Sequence, residues 1–225
     1  MTDLLKFTDS SSILDLKSFL VRAARVELGA VHLLAVDRVL VATIAVLYPT
    51  GLIERRMPTV LGVRTFPLAE SAELDIVVKQ RAILDRIARL DAEGEHSRTE
   101  LAIPAESVMV SWGGITPPRA GWLRVVDVQP AALKQIAEEG IAEIAAVIPG
   151  ELGEARVRKV RGEVWGRNIA DQLGLSEDMA LCAGISFAAL SLGFLDKTER
   201  LTVFENGPWL RVSSPYGDVL ARKHG

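Results

Sequence analysis

The sequence predicts an α+β fold, with an antiparallel sheet and two helices in an N-terminal lobe and a helical C-terminal lobe ending in a three-stranded meander. Three observations predict it. Two valine-rich apolar segments, 30–36 and 39–48, meet at Asp37-Arg38, the pattern of an antiparallel hairpin. Between Pro130 and Ile148, Leu133, Ile136, Ala137, Gly140, Ile141, Ile144, Ala145 and Ile148 recur at helical spacing. Near the C-terminus, Asn206-Gly207 is a strong turn signal between two short strand-like segments. The boundaries read as 1–112 for the first lobe, 113–121 for a connecting loop and 122–225 for the second lobe. The two lobes are able to behave as one cooperative unit.

In the first half, 12–27 reads as an amphipathic helix with Ile13, Leu16, Phe19, Leu20, Ala23 and Ala24 on its apolar stripe. The preceding DSSS offers N-caps, and Gly29 stops the helix. The near-continuous apolar runs at 30–36 and 39–48 imply strands covered on both faces. A third strand is expected across 59–66, after a turn at Pro49-Thr50-Gly51. Residues 70–91 are expected as one helix, with apolar Leu74, Val77, Val78, Leu84, Ile87 and Ala88 and a solvated charged face. The polar run 93–100 reads as a loop, and a fourth strand is expected to include 107–112.

In the second half, 122–128 reads as a strand. Pro130 then opens a helix at a position that suits its missing N–H, and Pro149-Gly150 ends it. Residues 154–173 are ambiguous, because Gly162 and Gly166 interrupt the helical spacing of Val157, Val160, Val164 and Leu173. Residues 178–192 carry no charge after Asp178, which predicts a buried helix capped by Ser176 and closed by Gly193. Strands are expected at 201–205, 209–213 and 218–222. Both halves therefore hold a helix followed by three strands. Their residue identity is negligible, so coincidence is favoured over duplication.

Three pieces, GITPPRAGW (114–122), LGFL (192–195) and WLRVSSPYGDV (209–219), resemble an uncharacterised family of mostly actinobacterial hypothetical proteins. The resemblance implies no activity, ligand or catalytic residue. It fits a cytoplasmic location.

Several function classes are excluded. Net charge is −3, so no global field draws the chain to nucleic acid or to an anionic membrane. The lone Cys182 allows no intrachain disulfide, as in a reducing compartment. The N-terminus lacks a signal-peptide pattern, and the apolar run 28–48 is broken by Asp37-Arg38, too short on either side to span a bilayer. No membrane is expected as a partner, and a cytoplasmic protein is the expectation. His32, His96 and His224 have no ligand spacing, so no metal is assigned. The nucleophile elbow G-x-S-x-G and the phosphate loops G-x-G-x-x-G and G-x-x-x-x-G-K-[ST] are absent, and Cys182 lies in apolar sequence that disfavours a thiolate. Hence no catalytic residue and no cofactor are assigned.

Two stretches remain as candidate sites. Arg156, Arg158, Lys159, Arg161 and Arg167 form the one local excess of charge. With helices at 130–148, 154–173 and 178–192 and a hairpin as wing, they suggest a winged-helix-like outline. The would-be recognition helix 178–192 offers no donor to bases or phosphates, and Glu151, Glu154, Glu163 and Asp171 balance the run. Nucleic-acid binding is therefore disfavoured. The second stretch is SWGGITPPRAGW, 111–122. Trp112, Arg119 and Trp122 on a proline-stiffened loop have the composition of an interface hot spot, although packing of both tryptophans is the stronger reading of that segment. The function favoured is a non-catalytic interaction or regulatory protein, with a protein partner or self-association as a homodimer. The alternatives are a nucleic-acid-binding regulator and an enzyme or small-ligand protein with a pocket between the lobes.

Overall fold

In the computed structural model, which describes residues 4–51, 57–92, 99–147 and 153–222, the first helix starts where the DSSS segment offers its cap. Asp9 precedes α1 (Ser10–Val26) and accepts from the Ser12 backbone N–H at 2.8 Å. The Ser11 hydroxyl, that N–H and the Thr8 hydroxyl together hold the Asp9 carboxyl down at about 2. Ile13, Leu16, Phe19, Leu20 and Ala23 form the buried stripe. Because the folded-state pKa is depressed, the cap contributes fully above the ordinary carboxylate value of 3.8 and is lost as pH falls through about 2. Asp9→Ala is expected to lower Tm by about 2–4 °C at neutral pH. In thermal melts against pH, that deficit shrinks as pH falls from about 4 to about 2; a deficit that stays constant would contradict the cap.

The chain forms two compact units, residues 1–44 with 63–115, and residues 45–62 with 116–225. In the first unit, β2 (Ala30–Val36) and β3 (Val39–Leu47) make the expected hairpin, closing at Val36 opposite Val39 with Asp37 at φ 52°. Only one face is fully covered. Val31, Leu33, Ala35, Leu40, Ala42 and Ile44 are buried, while His32, Leu34, Val41 and Thr43 are half-buried. The third strand, β4 (Val60–Pro67), follows. Its first residues and the last of β3 belong to the second unit.

The single helix expected at 70–91 is not what forms. Leu74–Lys79 is a strand, β5, antiparallel to β2 with Lys79 opposite Ala30 and Leu74 opposite Ala35; the helix, α2 (Gln80–Ala92), begins directly after it. The run Ile76-Val77-Val78 suits a pleated surface, and pairing with the free side of β2 outweighs the helical stripe. His32 Nε2 and Asp75 Oδ1 meet across that pair at 2.7 Å. Gln80 seals the junction, its N–H donating to the Gly29 carbonyl and its side-chain amide to that of Ala30.

The strand expected at 107–112 is also absent. Val108 makes one bond to the Val77 carbonyl, while Met109 is fully exposed, so the segment buries no alternating face. Instead β6 (Glu100–Ala102) pairs with β1 (Leu4–Lys6), which the sequence reading did not include. Of the expected loop 93–100, residues 93–98 lie outside the described residues, and Glu100 opens β6.

The second unit carries β7 (Leu123–Val128), β8 (Leu201–Asn206), β9 (Trp209–Ser214) and β10 (Gly217–Arg222), antiparallel in that order. The C-terminal meander is as expected, with one shift: Asn206 ends β8, and the two-residue turn is Gly207-Pro208, with Gly207 at φ 52°. Val128, Leu201, Val203, Leu210, Val212, Val219 and Ala221 are buried.

Three helices complete this unit: α3 (Pro130–Val147), α4 (Glu154–Trp165) and α5 (Gly184–Ser191). Leu133, Ala137 and Gly140 of α3 are buried, but Ile141 and Ala145 are exposed, so the apolar stripe faces the core only over its first half. Ile148 lies outside the described residues. The ambiguous segment 154–173 resolves into α4, a cap at Gly166 and a separate 3-10 turn at Asp171–Leu173.

The long helix expected at 178–192 is shorter. Glu177–Met179 is one 3-10 turn, Ala180 sits at φ 48°, and only Gly184–Ser191 is α-helical. Strand-like bonds intervene, from Ile169 N–H to the Leu181 carbonyl and from Ala183 N–H to the Arg167 carbonyl. Residues 181–186 are nonetheless buried, as an uncharged segment requires. Among the described residues, no helix is long and apolar enough to cross a membrane.

Candidate recognition face of the second unit

The loop before β7 is fixed by hydrogen bonds from its own residues and from the end of β8. Trp122 Nε1 donates to the Pro118 carbonyl at 3.0 Å, and Asn206 Nδ2 donates to the Ala120 carbonyl at 2.8 Å. Gly121, at φ 79°, makes the bend between them; a Cβ there would stand 3.2 Å from Asn206 Nδ2. Trp122 is thereby held over Arg211.

Register places the third member of the stack. The Gly207-Pro208 turn sets Asn206 opposite Trp209, and so Phe204 opposite Arg211. The Arg211 guanidinium lies 4.6 Å from the Trp122 ring centroid and 4.5 Å from that of Phe204, a cation between two π faces. Its Nε is buried and has no hydrogen-bond partner among the described residues. Asp218 lies near; burial raises its carboxyl above the ordinary value, against the Ser213 hydroxyl and the Arg211 charge.

Beside this stack runs β7, the outermost strand of the order. Its register against β8 shifts between Arg124 and Val126, a β-bulge. Arg124 is opposite Phe204 and Asp127 opposite Thr202, so the bulge brings both charged residues to the same face. Arg124 donates to Asp127 Oδ2 at 2.7 Å, and the Thr202 hydroxyl donates to Asp127 Oδ1 at 2.8 Å. Leu123 and Val125 are 66% and 38% exposed, values that leave apolar surface beside an edge that no other described strand pairs.

The residues singled out in the sequence fall in different places. Trp112 is buried within the first unit, while Arg119 is exposed and Trp122 half-buried within the second. On α4, Arg156 and Lys159 are exposed, and Arg158 and Arg161 are half-buried. Arg167 lies past the end of α4 and makes a bidentate pair with Glu143 of α3, which holds the Glu143 carboxyl below its ordinary value. Arg167 of the basic run is thus held by an internal partner.

Phe204, Arg211, Arg124 and Asp127 were not singled out from the sequence. The signal for Phe204 and Arg211 is the hairpin register, which pairs them once the turn is placed at Gly207-Pro208.

Cys182 is buried and its thiol is pushed up to about 11 by desolvation, so it is not a nucleophile near neutral pH. Among the described residues, no group of three or more His, Cys, Asp or Glu is placed to hold a metal ion. What the face offers is a rigid aromatic–guanidinium ledge with an apolar margin, the composition that dominates protein interfaces.

Residues 1–112 match the family model of a domain of unknown function (DUF8010), and residues 117–225 match that of a second domain of unknown function (DUF8185). No curated protein matches the chain. The two matches follow one another along the chain, and the ledge of Trp122, Phe204 and Arg211 falls wholly in the second.

Proposed function

We propose that the chain is a non-catalytic protein–protein interaction protein that works through the β7 margin of its second domain. One observation carries this reading: exposed Leu123 and Val125 lie on an outermost strand beside the Trp122–Arg211–Phe204 stack. Large rings and an arginine locked in place lose little side-chain freedom on binding, so such a ledge meets a partner at low entropic cost. A cytoplasmic role fits the single, buried cysteine.

The nucleic-acid reading has less support. Arg167 is paired with Glu143, and the segment that would have to enter a groove is interior.

The test is a photo-crosslinking residue at position 123 in the native host, with the same probe at exposed Glu199 as control. A discrete protein adduct at 123 alone is expected, and Leu123→Glu with the probe at 125 lowers adduct recovery by about 10-fold. Absence of a discrete adduct at 123 overturns the reading.

A further inference from the structure

We infer that the partner of the β7 margin is a second copy of this chain, joined by antiparallel β7–β7 pairing about a two-fold axis at the bulge. This rests on the reading of β7 as an interaction margin and names its occupant.

In a two-fold antiparallel strand pair, the axis stands perpendicular to the sheet, and residues directly opposite lie on the same face. A regular strand would put Arg124 and Asp127 on opposite faces, because their separation is odd. The bulge removes that obstacle. It takes up one residue between Arg124 and Val126, so that Arg124 and Asp127 share a face, as their ion pair confirms.

Counting the bulge as one position, Arg124 and Asp127 are equidistant from it, as are Leu123 and Val128. Pairing centred on the bulge therefore sets Arg124 of each copy against Asp127 of the other, twice. A shift of register loses both charge pairs, so the charge pattern selects one alignment. Arg124 keeps 61% of its side chain exposed, and Asp127 keeps 29%, so each can change partner from its own chain to the second copy. Leu123 and Val125 would be covered in the same step, removing the apolar exposure of this margin. A bulge on an edge strand also serves to deter pairing; a chain that stays monomeric is what that role predicts.

The experiment uses the full chain and charge exchange. Light scattering after size exclusion is expected to give twice the 24.4 kDa chain mass for wild type. Arg124→Asp alone and Asp127→Arg alone each set like charges opposite one another at both pairs, and each weakens the dimer by about 10–30-fold. Mixing the two variants makes every pair complementary again and restores a 1:1 heterodimer to within about 3-fold of wild type. The double variant Arg124→Asp/Asp127→Arg dimerises on its own. Restoration by mixing also shows that both single variants fold.

A wild-type chain that is monomeric to about 1 mM, a concentration far above micromolar affinity, overturns self-pairing. So do single variants that dimerise like wild type, or folded variants that fail to rescue one another. If the chain is monomeric yet the probe at position 123 captures a different protein, the interaction reading stands and only self-pairing falls. If neither occurs, both fall.

Discussion

Replacing Trp165 by alanine is expected to remove about 3–5 kcal/mol of stability. Trp165 ends α4 and is 1% exposed, so its whole ring is core. It stacks on Phe187 of α5, with ring centroids 4.6 Å apart and planes 20° from parallel. The ring also occupies the space that Gly140 leaves on α3. One side chain therefore packs against two other helices, and its removal leaves a cavity in a close-packed interior. Urea unfolding followed by circular dichroism measures the loss. A change below about 1 kcal/mol would mean that the site collapses around the missing ring.

The second large effect is a change that local propensity alone would score as favourable. Gly140→Ala in the middle of α3 should gain about 1 kcal/mol in helix propensity. Instead, a net loss of about 2 kcal/mol is expected, because the added methyl overlaps the Trp165 ring. Its Cβ would stand 2.6 Å from Trp165 Cη2, inside contact also with Cζ3, and 3.2 Å from Val164 Cγ1. The ring is buried and stacked on Phe187, so shifting it to make room disturbs that packing. The two residues must therefore be coupled. In the Trp165→Ala background the clash is gone, and Gly140→Ala should now stabilise by about 1 kcal/mol. A Gly140→Ala effect of the same sign in both backgrounds would show that the glycine serves something other than the ring.

The parts of the fold that were legible in the sequence are those where local signals agree. In α1, the cap and the apolar spacing point the same way. The β2–β3 hairpin has two strand-like runs separated by a polar pair, and α3 starts at a proline with a regular stripe. The parts that were not legible are decided by partners distant in sequence. β5 passes into α2 without an intervening turn, so its residues continue the helical stripe until β2 captures their backbone. The first residues of the 178–192 segment are likewise drawn off by bonds to 167–169.

The candidate site shows the same division. Trp122 and Arg119 stand out in a loop rich in proline and glycine. Arg211 and Phe204 look like ordinary alternating strand residues, and their role depends on a cross-strand register that moving the turn by one residue would change. The bulge that aligns Arg124 with Asp127 has no signature in LRVVDV itself.

The division of the chain into units has a consequence for inheritance and for synthesis. Leu47 and Val60 lie inside the first family match, yet they press on Gly184 at the start of α5, where a Cβ would stand 2.7 Å from Leu47 Cδ1 and 3.1 Å from Val60 Cγ2. The carbonyl of Thr59 likewise takes the N–H of Arg222 at 3.2 Å. A gene fragment encoding only the second match would translate a body lacking part of its own wall. On the ribosome, these borrowed residues emerge long before the helix they support, and they must wait for it. Recombination that moved the second match to a new gene without the first would leave it without Leu47, Thr59 and Val60.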